Sequence, residues 1–172
     1  MYAIPERLKA AMDARLHSQP INARHLIVAS GISFDEMLLP PGTHAILSYE
    51  NDAFHLSVSN TLGEMTQNIV YAKALAHLLL HSDRFSPGTA WVDGTDAQVP
   101  VAHTPAPLTD EDEAAAQRMA IEILVPTVAL RQAFLYHQGA TAAMAKAFGV
   151  PQAVIHAACV RRGLLDPRAV AA

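Results

Sequence analysis

Apolar side chains recur at helical spacing near the start of the chain, at Leu8, Ala11, Met12 and Leu16, and Pro5 brings the fixed φ of a first helical turn. A helix is therefore expected from Ile4 to His17, stopped by Pro20. Asn22 follows as an N-cap for a short helix holding Leu26, Ile27 and Val28 and ending near Gly31. Phe34 to Leu39 reads as a short extended piece, after which Pro40, Pro41 and Gly42 force a turn. The period then drops to two. In Ala53 to Ser59, Phe54, Leu56 and Val58 alternate with His55, Ser57 and Ser59; with Ala45 to Tyr49 before it and Glu50, Asn51 and Asp52 between, this is a hairpin with one apolar face.

From Thr61 to about His81 the helical period returns, with Ile69, Leu75, Leu79 and Leu80 on a face broad enough for a buried central helix. Ser82 to Pro107, rich in Pro, Gly, Asp and Thr, predicts a long loop with one strand around Ala90 to Val92. Thr109 ahead of Asp110, Glu111, Asp112 and Glu113 is a capped helix start with carboxylates on the positive end of the dipole. That helix ends at Pro126, and another runs from Thr127 to Gln138. Thr141 to Phe148 and Pro151 to Arg162, joined by Gly149 and Val150, make a helix-turn-helix shape. The expected fold is α+β and mainly helical. Its core, residues 1–138, contains a small β-hairpin or sheet, and a helix-turn-helix-like subdomain, residues 139–172, packs on that core.

A length of 172 residues fits one domain with a self-sufficient core, and 51% hydrophobic against 16% charged residues excludes disorder as the default. With 16 acidic and 12 basic residues the formal charge is -4, so no global field draws in nucleic acid. Cys159, the single cysteine, lies among Ala157, Ala158 and Val160 and is expected to be a buried apolar group in a reducing, cytoplasmic compartment. Glu6, Arg7, Lys9 and Asp13 interrupt the N-terminus, and Lys73 and His77 interrupt Ile69 to Leu80, so neither a leader nor a membrane span is expected. No Gly-rich phosphate loop is present, and no nucleophile elbow surrounds Ser57 or Ser59. His55, His103 and His137 read as surface or capping residues.

The run Ala72-Lys73-Ala74-Leu75-Ala76-His77-Leu78-Leu79-Leu80-His81 resembles the central helix of the ImmA/IrrE metallopeptidases, A-H-E-L-G-H-L-L-L-H. Three further segments are similar to that family in the same order. They are the hairpin ending at Ser59-Asn60, the helix from Glu113 through Glu122-Ile123-Leu124-Val125-Pro126, and the closing segment Met144 to Val150 followed by Val160 to Leu165. The resemblance implies a zincin-like core. In the HExxH helix of such enzymes two His one turn apart bind zinc and the Glu activates a metal-bound water. Laid on this chain without gaps, the first His becomes Lys73, the Glu becomes Ala74, the second His remains as His77, and the third ligand falls at Ala115.

With two ligands and the base absent, no catalytic residue, no peptidase activity and no cofactor are expected. What the resemblance then implies is a pseudoenzyme whose cleft, at Lys73, Ala74, His77 and Ala115, binds a protein partner such as a helix-turn-helix repressor of a mobile element or stress regulon. Lys73 is expected to pair with Glu113 in place of the metal's charge.

Two rivals stand beside this. His77 and His81 are also spaced i, i+4, so zinc could be held one turn later with Glu111, Asp112 or Glu113, giving an active endopeptidase. His81 is equally explained as a cation at a helix C-terminus. Alternatively Gln152, His156, Arg161 and Arg162 could contact DNA, although the mostly Ala, Val and Ile composition of that last helix favours a structural role. The apolar helix faces leave homodimerisation open, and the sequence does not determine it.

Overall fold

The computed structural model describes residues 20–166 except Asp96, together with Glu6 and Ala10. The helix expected over 4–17 lies outside the described residues apart from those two. Asn22 opens α1 (Ala23–Ser30), its side chain accepting from the His25 N–H, and Gly31 closes it at φ 77°, a left-handed value natural to glycine. β1 (Ser33–Met37) follows, then the hairpin of β2 (Thr43–Glu50) and β3 (Ala53–Ser59). The hairpin turns on Asn51 and Asp52, both at positive φ (48° and 60°), as a tight two-residue turn between right-twisted strands requires. Leu47, Tyr49, Phe54, Leu56 and Val58 are buried, so the alternation read from the sequence is the real division between core and outside.

The central helix α2 (Glu64–His81) lies across this sheet and ends in a short 3-10 turn, Ser82–Arg84. The segment expected to be mainly loop instead extends the sheet, with β4 (Thr89–Gly94) and the short β5 (Thr104–Pro105). The strand order is β1-β3-β2-β4-β5; β2 runs antiparallel to β3 and β4, and the pairs β1/β3 and β4/β5 are parallel. Strand pairing, which a reading of local periods does not see, draws this Pro-rich segment into the sheet.

Thr109 and Asp112 form a reciprocal capping box at the start of α3 (Asp110–Leu124), and Pro126 separates it from α4 (Thr127–Tyr136) with a bend of 53°. The closing pair, α5 (Thr141–Phe148) and α6 (Gln152–Arg161), turns through 109° at Gly149, within the range of a helix-turn-helix. Met144, Phe148, Ile155 and Cys159 join the same hydrophobic cluster as the sheet and α2. Arg162 forms an ion pair with Glu122 of α3, anchoring the closing pair to the rest of the chain. Among the described residues no single helix is long and apolar enough to cross a membrane.

Candidate functional site

Lys73, His77 and His81 stand four residues apart on α2 and so occupy one face, which looks toward β4 and the start of α3. The Lys73 ammonium pairs with Asp93 of β4 and lies 5.5 Å from the centre of the Trp91 ring. Trp91 and Asp93 are two apart on a strand, which puts both on the side facing the helix. The other Asp93 oxygen is 3.3 Å from His44 Nδ1. His44 is the extra residue of a β-bulge between Thr43 and Ala45, a device that re-aims a side chain. The bulge depends on glycine: a Cβ on Gly94 would come within 2.0 Å of the Gly42 carbonyl oxygen.

One turn along, His77 is completely buried, its ring centre 4.5 Å from that of Trp91. Its Nε2 has no hydrogen-bond partner and faces Glu113 Oε2 at 3.5 Å, while Glu113 Oε1 accepts the Trp91 indole N–H at 2.7 Å. Burial alone would raise the Glu113 carboxyl. Contact with His77, the Trp91 hydrogen bond and the Lys73 charge outweigh it and hold the group below its ordinary value.

The Nδ1 atoms of His77 and His81 meet at 3.3 Å, so one ring donates and the other accepts. His81 Nε2 turns to Asp112 Oδ1 at 3.3 Å. Burial, then the neighbouring His77, pull the His81 pKa below its usual value. Asp112 is held low chiefly by the Thr109 hydrogen bonds of the capping box.

Several expectations are corrected by this geometry. Lys73 meets Asp93 rather than Glu113, because β4 brings Asp93 up to the ammonium, while Glu113 is taken by the Trp91 indole N–H and faces His77 one turn along. His77, His81, Glu111, Asp112 and Glu113 do not converge on one point. The two rings face each other through Nδ1 and send each Nε2 to a different carboxylate, and Glu111 is exposed. Among the described residues no three His, Cys, Asp or Glu side chains form a metal-holding group. Ala74 is wholly buried and Ala115 partly so.

His103 is not a surface residue: its side chain is 14% exposed and its Nε2 is 2.6 Å from Glu50 Oε1, tying the approach to β5 back to the hairpin. Of the candidate DNA contacts, Arg161 is exposed, Gln152 donates to Thr141 Oγ1 at 2.9 Å, His156 is half-buried and Arg162 is occupied by Glu122. Cys159 is buried, as expected, and burial raises its thiol pKa.

Asp93, Trp91 and His44 are the participants that sequence reasoning missed. The signal available was the two-residue spacing of Trp91 and Asp93, with Asp93 just past the strand expected around Ala90 to Val92.

Two cavities are lined without Lys73, His77 or His81; the first lies at the N-terminal end of α2, and the second, beside the loop after β1, includes the His44 that reaches Asp93. One, of about 570 Å³, is lined by Arg24, Glu36, Glu64, Met65, Asn68 and Tyr71 among others; the second, of about 320 Å³, by Leu38, Pro40, Pro41, His44, Ser59 and Leu62 among others. Burial and the Glu36 carboxylate push the Tyr71 phenol far above its usual pKa.

Comparison with known proteins adds two findings. The Peptidase_M78 family model, described as the IrrE N-terminal-like domain, matches residues 30–159. A solved Mycobacterium tuberculosis transcriptional regulator is similar in fold, with a TM-score of 0.57 at 19% sequence identity; the match covers 97% of this chain and 50% of that one, so the chain spans half that regulator's length. No curated protein matches.

Proposed function

The chain belongs to the Peptidase_M78 family of IrrE N-terminal-like domains, and from that membership we propose that it is a regulatory protein that binds its partner without cutting it. The observation that carries this is the Lys73–Asp93 pair at the position where the family resemblance puts a metal-binding His. A zinc site draws on three or four donors from His, Cys or carboxylate side chains. The residues present do not fit one: an ammonium held by a carboxylate stands at the first position, methyl groups stand at Ala74 and Ala115, and His77 Nε2 has only Glu113 near it. A cation beside Lys73 would meet like-charge repulsion. The base that would activate a water is replaced by the buried Ala74.

The partner in this reading is a transcriptional repressor of the helix-turn-helix kind, as the family resemblance implies, and the fold shared with a transcriptional regulator is in keeping with it. DNA recognition by α5 and α6 is the weaker reading, since Arg162 and Gln152 are already engaged within the protein.

Elemental analysis of protein purified without chelator or polyhistidine tag tests the proposal, alongside incubation with a candidate repressor and mass spectrometry of the products. Zinc well below stoichiometry and an intact, bound repressor are expected. About one zinc per chain, lost in His77→Ala, together with cleavage, overturns the proposal in favour of an active peptidase.

A further inference from the structure

β1 differs from every other strand of more than two residues in this sheet. It pairs with β3 on one side, and no strand lies on the other among the described residues, which leave its outer backbone edge open. Of its residues only Phe34 is partly covered; Ser33, Asp35, Glu36 and Met37 are exposed. Open edges of this kind accept a further strand through main-chain hydrogen bonds, with specificity set by the side-chain pockets alongside.

Such pockets are present. Leu38, 72% exposed, and Met37 carry an apolar surface from the end of β1 to the 320 Å³ cavity, and Met65, also exposed, lines the 570 Å³ cavity. The charges around the strand lean one way. Asp35, Glu36 and Glu64 stand against Arg24 and the imidazole of His55, whose Nε2 is 3.5 Å from Asp35 Oδ2; Glu36 Oε1 is fixed by donors on two sides, from Tyr71 at 2.7 Å and from Arg24 at 2.9 Å.

We infer that the outer edge of β1 takes up an extended segment of a protein partner, apolar with interspersed Lys or Arg side chains, as a sixth strand. A second copy of this chain is disfavoured as occupant. Pairing β1 with itself, in either direction about its centre, sets Asp35 against Asp35, and like charges directly opposite are destabilising. The inference rests on the proposed binding function and names the surface and the chemistry that would carry it.

The probe is a fluorescent peptide of about ten residues alternating Val and Lys. Its controls are a Val/Glu peptide and a Val/Lys peptide N-methylated at alternate residues, which cannot complete a strand ladder. Binding is read by anisotropy and by amide shifts in a two-dimensional NMR spectrum of the full chain. The Val/Lys peptide is expected to bind at least about tenfold more tightly than either control, to move the amides of residues 33–38 and 64–65, and to lose at least about tenfold in affinity to Asp35→Lys/Glu64→Lys, whose melting temperature is checked against the parent.

Equal binding of the three peptides, shifts confined to α4, α5 or α6, or no binding of an intact peptide overturns the inference. Concentration-dependent dimerisation relieved by Asp35→Lys also overturns it, assigning the edge to a second copy. Cleavage of a peptide that does bind at β1 overturns the non-cutting function and leaves the strand site standing, so the two failures are told apart by mass spectrometry.

Discussion

The two ends of α2 present opposite solutions to the placing of polar groups. At the C-terminal end, Lys73, His77 and His81 are each matched to a carboxylate from β4 or α3, and Trp91 seals the layer between them. At the N-terminal end, Glu64 and Met65 are exposed and line the 570 Å³ cavity together with Glu36 of β1, the strand with no described neighbour on its outer side. Buried polar groups are costly unless satisfied, so the cluster matches each cation or imidazole to a carboxylate, with His77 Nε2 alone of these left at 3.5 Å and without a hydrogen bond. In the proposed reading, the position where the family resemblance puts chemistry serves structure here, and recognition falls to the surface a few turns away.

The sharpest way to break that contrast is Lys73→Met, which leaves Asp93 largely buried without its cation. A loss of about 3 kcal/mol in chemical denaturation is expected, while Lys73→Met/Asp93→Leu recovers most of it; independent, additive losses in the two single variants would deny the coupling. Trp91→Phe keeps an aromatic group but removes the hydrogen bond to Glu113 and part of the buried indole, and should cost about 2 kcal/mol or more in the same assay.

A pH titration probes the histidine pair. The folded-state pKa of His81 is depressed, so beneath its ordinary value the unfolded chain binds more protons, and stability should fall as pH drops through roughly 6.5. His81→Gln should flatten melting temperature against pH in that window; an unchanged slope would falsify the assignment. The smallest effect belongs to the open end, where Glu64→Lys should change stability by no more than about 0.5 kcal/mol.

Much of the fold was legible in the sequence because it is written in local patterns. The Phe54, Leu56, Val58 alternation, the Asn22 and Thr109 caps, and Pro126 each act within a few residues, and each appears where the pattern puts it. β4's length and β5 were not legible, since Thr89, Thr104 and Pro105 become strand residues only by pairing with distant partners. The site divides in the same way. That Lys73, His77 and His81 share a face follows from helical period alone, but the identity of the groups opposite them depends on the sheet, which supplies Asp93 where Glu113 had been expected. His103 was misplaced for the same reason: its partner Glu50 is remote in sequence and close only after the hairpin forms.

The carboxylate of Glu122 has a mechanical consequence. It accepts the Thr127 N–H at 2.9 Å and the Thr127 hydroxyl, supplying from the preceding helix the cap that Pro126 cannot give α4, and its Oε2 also receives Arg162 from the far end of α6. Three stretches of chain thus meet at one side chain, about half of whose surface is open to solvent. The bend after α3 and the closing helix pair are therefore hinged on a common pin, and a fluctuation that withdraws it loosens both together, so their amide exchange rates should rise and fall as one.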